Sequence, residues 1–149
     1  MKSKEIKIAV LACFVALFTI VSCKKDDNKT KNTIESNVQS GTWKITKFVD
    51  SGTDETSQFS GYNFSFNNSG VLNANNGSNN FDGSWSITDN NSNDDSQNDL
   101  DFNINFSENN NFEDLSDDWD FVSQSETKIE LIDVSGGNGG TDYLTFEKN

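Results

Sequence analysis

From residue 41 onward, apolar side chains fall on every second position in a series of short stretches separated by polar turns. Residues 42–50 set Trp43 and Ile45 against Lys44 and Thr46. The alternation slips near Phe48 and Val49, which predicts a bulged strand with one wet face. Tyr62, Phe64 and Phe66 alternate with Asn63 and Ser65, Asn67 to Gly70 reads as a turn, and Leu72 and Ala74 share a face on the return. That combination predicts a hairpin. Residues 83–88 place Trp85 and Ile87 on one face, and Leu100, Phe102, Ile104 and Phe106 alternate with Asp101, Asn103 and Asn105. Trp119 with Phe121, Ile129 with Leu131, and Leu144 with Phe146 mark three further strands. Phe112 and Leu115, inside the polar stretch 107–116, are expected to fold back on the core or to form one helical turn.

About eight short strands joined by hairpin-length loops, with no helical period beyond residue 40, predict an all-β fold. The expected architecture is an antiparallel up-and-down meander closing into a β-barrel, with an open β-sandwich as the alternative. Closure removes the edges of the sheet. The inward row would be aromatic, and burying each such side chain is worth about 1.5–3 kcal/mol.

The N-terminus has a different pattern. Lys2, Lys4 and Lys7 precede an apolar run over residues 8–21. At about 1.5 Å per residue that run spans roughly 21 Å, short of the ~30 Å hydrocarbon core of a bilayer. It suits the apolar region of a signal peptide. Ile20-Val21-Ser22-Cys23 follows, and it resembles the bacterial lipobox. The resemblance implies cleavage between Ser22 and Cys23, two acyl chains on the Cys23 thiol and a third on its new amine. Two or more chains hold a protein firmly on its membrane. Lys24-Lys25-Asp26-Asp27 is similar to the short export signal behind the lipobox of surface-exposed lipoproteins of Bacteroidota. That implies display on the outer membrane, with the periplasmic leaflet as the alternative. Three segments result: a signal peptide over 1–22, a lipidated Cys23 with a flexible polar tether over 23–40, and a β domain over 41–149. The tether would reach roughly 20–25 Å.

Composition removes several functions. The mature chain would keep a single Cys, so no internal disulfide and no free thiol remain, and there is no His, no Arg and no Pro. From residue 41 there are twenty acids and four Lys, and residues 48–127 hold sixteen acids and no base. A nucleic-acid partner is excluded, because neutralising phosphates takes clustered Lys or Arg. Cations, neutral sugars, apolar ligands and basic proteins stay open as partners. Triads, Cys-His pairs and His metal sites all lack their residues, so the protein is not expected to be an enzyme. Asp118 and Asp120 flank Trp119 as glycosidase carboxylates could, but on a polar strand face they are ordinary solvated acids.

Calcium is the one metal the chain could serve, since hard cations take several carboxylate and amide oxygens. Asp94, Asp95 and Asp99 lie in one acidic stretch, and Asp117 and Asp118 lie in another with Glu113 and Asp114. Neither stretch fits an EF-hand loop: counted from Asp89, Asp94 stands where Gly is needed and Leu100 where Glu is needed. The run over 135–142 also misses the Gly/Asp calcium repeat at Thr141, and no helix or Lys follows to make it a phosphate cradle.

Gly41-Thr42-Trp43 opening the first strand is similar to the Gly-x-Trp signature of lipocalins. The pattern Tyr62-x-Phe64-x-Phe66 with Gly70, Gly83-x-Trp85-x-Ile87, then Trp119 before Thr127-x-Ile129-x-Leu131, resembles the lipocalin-like lipoproteins of Bacteroidota. The resemblance implies an eight-stranded up-and-down barrel and binding of a small apolar molecule. Trp43, Tyr62, Phe64, Phe66, Trp85, Phe102, Trp119 and Phe121 are then the candidate ligand or core residues. The first reading is a lipid-anchored carrier of a small apolar or sugar-like ligand. The second is a surface interaction or structural module with acidic loops and no cavity, in which calcium could add stability.

Overall fold

The computed structural model describes residues 27–89, 100–107, 110–135 and 140–149. Alternation becomes strand at each predicted place. The strands are β1 (Trp43–Asp50), β3 (Asn63–Phe66), β4 (Val71–Asn75), β5 (Asn80–Asp89), β6 (Leu100–Phe106), β7 (Asp117–Gln124), β8 (Lys128–Val134) and β9 (Thr141–Lys148), with a two-residue β2 (Thr53–Asp54) beside β1. From β3 to β9 each strand pairs antiparallel with the next, and β1 closes the ring between β9 and β3. The result is the closed eight-stranded up-and-down barrel that the periodicity predicts, in place of an open sandwich.

Closure is uneven around the ring. β1 pairs with β9 from Trp43↔Lys148 to Val49↔Tyr143, but it meets β3 at Trp43↔Phe64 alone. The 3-10 turn Thr56–Phe59 fills the gap. Thr56 Oγ1 accepts the Phe48 N–H at 2.8 Å, and Phe59 sets its ring edge-on to Phe48 at 5.3 Å. A backbone edge that would otherwise be open is thereby satisfied.

Several boundaries move from their predicted places. The irregularity in β1 falls between Ile45 and Lys47 rather than at Phe48 and Val49. Thr46 is the extra residue, and it restores Phe48 to the interior while Lys47 stays outside. β5 begins three residues before the predicted strand, which brings Phe81 opposite Ala74. β2 occupies part of the expected loop over 51–60. Tyr62 stands just before β3 and is half-buried, so it is at the barrel rim rather than in the strand row.

The flexible tether expected over 23–40 is corrected from Asp27 onward: α1 (Asp27–Gln39) is a helix. Ile34 and Val38, one helical turn apart, share a face and are wholly buried in the barrel core. Lys31 and Glu35 form an i, i+4 ion pair at 3.8 Å on the exposed side. Two apolar residues in thirteen give almost no amphipathic signal in the sequence, and docking on the barrel supplies the stability that the segment lacks alone. Gly41, with φ +86°, turns the chain from helix into β1.

The three Trp residues act as clamps. Each donates its indole N–H to a carbonyl of a connection: Trp43 to Val38 at 2.8 Å, Trp85 to Asn67 at 3.0 Å and Trp119 to Leu115 at 3.1 Å. The first fixes α1, the second fixes the β3–β4 turn, and the third fixes the 3-10 turn Glu113–Leu115. A buried indole thus fills space and satisfies its one polar atom at once.

Candidate functional site

The aromatic row points inward, as its alternation requires. Trp43, Phe64 and Phe102 have no exposed surface, and Trp119, Phe66, Phe121 and Trp85 keep between 1% and 7%. A side chain lining a void large enough for water would retain accessible area. These rings instead meet one another. Phe66 packs on Trp85 at 5.6 Å, on Phe102 at 5.5 Å and on Phe146 at 5.6 Å, and Phe102 stacks on Phe121 at 5.7 Å. The distances are those of edge-to-face and offset ring contacts. Around this row the interior is filled.

One end of the barrel is closed by Phe112. Its ring lies 4.6 Å from Phe81, 5.0 Å from Tyr62, 5.2 Å from Phe106 and 5.4 Å from Phe59. Phe112 and Leu115 do fold back, and the predicted helical turn forms beside them. At the α1 end, Lys148 of the last strand puts its Nζ 4.8 Å over the Trp43 ring and donates to Ser40 Oγ at 3.4 Å. This cation–π contact couples the last strand to the first Trp and to the helix end.

Ser22, Cys23, Asp94, Asp95 and Asp99 lie outside the described residues. Asp117 and Asp118 are not loop residues: they open β7. Asp117 Oδ1 accepts the Asp118 N–H at 2.9 Å, and the Asp118 carboxyl lies close enough to act on that of Asp117. Among the described residues no group of three His, Cys, Asp or Glu is placed to hold a metal. Burial is the chief cause raising the Asp117 carboxyl above its ordinary 3.8, and Asp133 and Asp118 add to it.

The outer surface divides into two walls. On β4 to β7 the outward positions carry mostly Asn, Ser and Asp, with Val71 and Val122 also exposed. Asn73 Nδ2 donates to Asn80 Oδ1 at 2.8 Å and to Asp82 Oδ1 at 2.7 Å. Beside this ladder an open depression of about 340 Å³ is lined by Val71, Asp82, Ser84, Asn105 and Ser107. At its floor Gly83 allows β5 to approach β6, since a Cβ there would stand 2.5 Å from the Asn105 carbonyl.

The wall formed by β8, β9 and β1 differs. All four Lys that follow residue 41 lie on its strands, and Lys44, Lys47 and Lys128 stand on its outer face beside Lys148 at the barrel end. Lys47 Nζ sits 4.4 Å over the Tyr143 ring, and Lys128 meets Glu130 at 2.6 Å. The bond from Lys128, with a second from Ser123 Oγ at 2.5 Å, holds the Glu130 carboxyl below its ordinary 4.5. Tyr143 and Val134 are exposed here, and Val122 is exposed on the adjoining β7. This wall was not singled out from the sequence. The available signal was that Lys appears only in the first strand and the last two, together with Val122 and Val134 at polar positions of the alternation.

No family model and no curated protein matches the chain. Among solved structures, it is similar to a DUF4847 family protein from Bacteroides vulgatus, at 18% identity and a TM-score of 0.51. The similarity covers 78% of this chain and 97% of that one. At that identity the likeness speaks to the fold.

Proposed function

We propose that the chain is a lipid-anchored envelope protein whose lipocalin-like barrel works through its outer surface, as a non-enzymatic interaction module. The observation that carries this reading is the packed interior: the residues a carrier would present to its cargo, Trp43, Phe64 and Phe102, are wholly buried, with Phe64 packed on Phe146 and Phe102 on Phe66, Trp85 and Phe121. The lipobox at Cys23 supplies the anchor, and Lys24-Lys25-Asp26-Asp27 supplies the signal for the outer face of the outer membrane. Only three residues separate Cys23 from the start of α1. At about 3.5 Å per extended residue, that leash holds the start of α1 roughly 14 Å or less from the acylated cysteine. The outward rows of Asn, Ser, Asp and Lys are the reverse of a lipid-facing band, so the barrel is held beside the membrane and its walls stay in water.

Two measurements test this. Cys23→Ser should abolish labelling by radioactive palmitate. A neutral fluorescent probe such as N-phenyl-1-naphthylamine, titrated against the folded protein, should show no saturable enhancement. Palmitate labelling that persists in Cys23→Ser would overturn the anchor. Stoichiometric probe binding lost on substituting Phe102 would favour a carrier of small apolar ligands.

A further inference from the structure

We infer that the wall formed by β8, β9 and β1 is a self-association surface on which two copies meet about a two-fold axis running along β9. The register carries the argument. Thr145 of β9 is flanked by Lys47 on β1 and Glu130 on β8. One row further, Tyr143 is flanked by Val49 and Ile132. Neighbouring strands stand about 4.8 Å apart, so each pair sits symmetrically about β9. A two-fold axis lying in the contact plane along β9 exchanges the two sides. Lys47 of each copy then faces Glu130 of the other, Val49 faces Ile132, and Tyr143 lies on Tyr143. In the next row Glu147 is flanked by Lys44 and Lys128; the axis sets Glu147 against Glu147 and Lys44 of each copy against Lys128 of the other, so each Glu147 meets the other copy's Lys residues only diagonally. The Lys47–Glu130 and Val49–Ile132 rows are the ones that complement themselves, as an isologous contact requires.

The charge distribution agrees with this. Tyr143 and Val134 expose apolar surface on this wall, as Val71 and Val122 do on the wall of β4 to β7. The chain carries a net charge of −13, and this wall is where outward Lys balances outward acid, so two copies repel least when they approach here. An axis along β9 also leaves both α1 ends on the same side. Two barrels anchored in one membrane could therefore meet without either turning over, and confinement to the membrane raises their effective concentration. The inference of a dimer needs only the barrel. The shared orientation rests on the lipid-anchor reading.

The test is cross-linking of the full chain in the envelope of its producing cell. Tyr143→Cys and Glu147→Cys, both on the axis, are treated separately with a short bismaleimide that spans the ~10 Å between packed sheets. Both should give a homodimer band, and Val71→Cys on the opposite wall should remain monomeric. Adding Lys47→Glu to Glu147→Cys should reduce the dimer at least five-fold, and adding Glu130→Lys as well should restore it. A band of non-integral mass, equal yield from Val71→Cys, or no rescue by the double charge exchange would overturn the proposal. The unsubstituted chain run alongside reports on the anchor separately, because an acylated Cys23 offers no thiol. A reaction there would contradict the anchor, while the charge exchange still decides the dimer.

Discussion

On the wall from β4 to β7 the outward side chains include Asn73, Asp82, Ser84, Asn105, Asp118 and Asp120. On the wall of β8, β9 and β1 they include Lys44, Lys47, Val49, Lys128, Glu130, Ile132 and Tyr143. Inside, the same walls are alike: Phe102, Ile104 and Trp119 on one, Ile129, Leu144 and Phe146 on the other, all at 3% exposure or less. Folding explains the interior of both, because alternation must bury one face of every strand. It does not explain the exterior difference, since polar residues of either composition would keep a strand face wet. The second wall therefore carries chemistry beyond what the barrel needs in order to form.

The comparison predicts a common large effect from the inside. Trp119→Ala and Phe146→Ala, one from each wall, should each cost about 3–5 kcal/mol in denaturant unfolding, as for other buried aromatics. If only one wall were sensitive, the interior would not be a single core. Gly83→Ala breaks the acidic wall at its tightest point. Its Cβ would press on the Asn105 carbonyl and the Phe106 ring, and the expected cost is about 1–3 kcal/mol. Ile34→Ala should cost about 2–5 kcal/mol if α1 is part of the core. A tether would leave the melting temperature unchanged.

Exterior changes should be small in stability and different in consequence. Val134→Ser and Val71→Ser, on opposite walls, should each shift unfolding by less than about 0.5 kcal/mol. Only Val134→Ser should weaken association.

The smallest effect follows pH. Burial raises the Asp117 carboxyl in the folded state above its ordinary 3.8. The native form then holds this proton more tightly than the unfolded one, so ionised Asp117 lowers stability at neutral pH, and the loss is relieved as pH falls through the raised value toward 3.8. Asp117→Asn should raise the melting temperature at pH 7, with the gain shrinking toward pH 4. Glu130, held low by Lys128, works in the opposite sense. Its contribution is present above about 4.5 and is lost as pH falls through the lowered folded value.

Strand number, order and inward residues were legible because a half-buried strand writes its geometry into the sequence at every second position. The turn at Asn67 was legible for a local reason: its side-chain Oδ1 accepts from Ser69 and Val71, each at 3.0 Å, and Gly70 takes φ +79°. Helix α1 was not legible, because Ile34 and Val38 are only two residues and their partners are distant in sequence. The bulge was misplaced because inserting Thr46 or a residue near Val49 leaves the same run of letters, and only pairing with β9 decides. The Lys and Tyr143 wall was hidden for a related reason. Lys47, Glu130 and Tyr143 are far apart in the chain, and only barrel closure between β1 and β9 sets them side by side. Asp118 was legible on the polar face of the Trp119 strand, whereas Asp117 was read only as part of an acidic stretch, and pairing with Ile104 of β6 draws it into β7.

The most direct test of the central claim, that this barrel acts by its surface and not by its interior, is native mass spectrometry of the full protein isolated from its own source. The account predicts the mass of the chain from Cys23 onward plus its acyl groups, at monomer and dimer positions, with no other adduct. A stoichiometric adduct of a few hundred daltons, released on unfolding, would contradict it and make the protein a carrier.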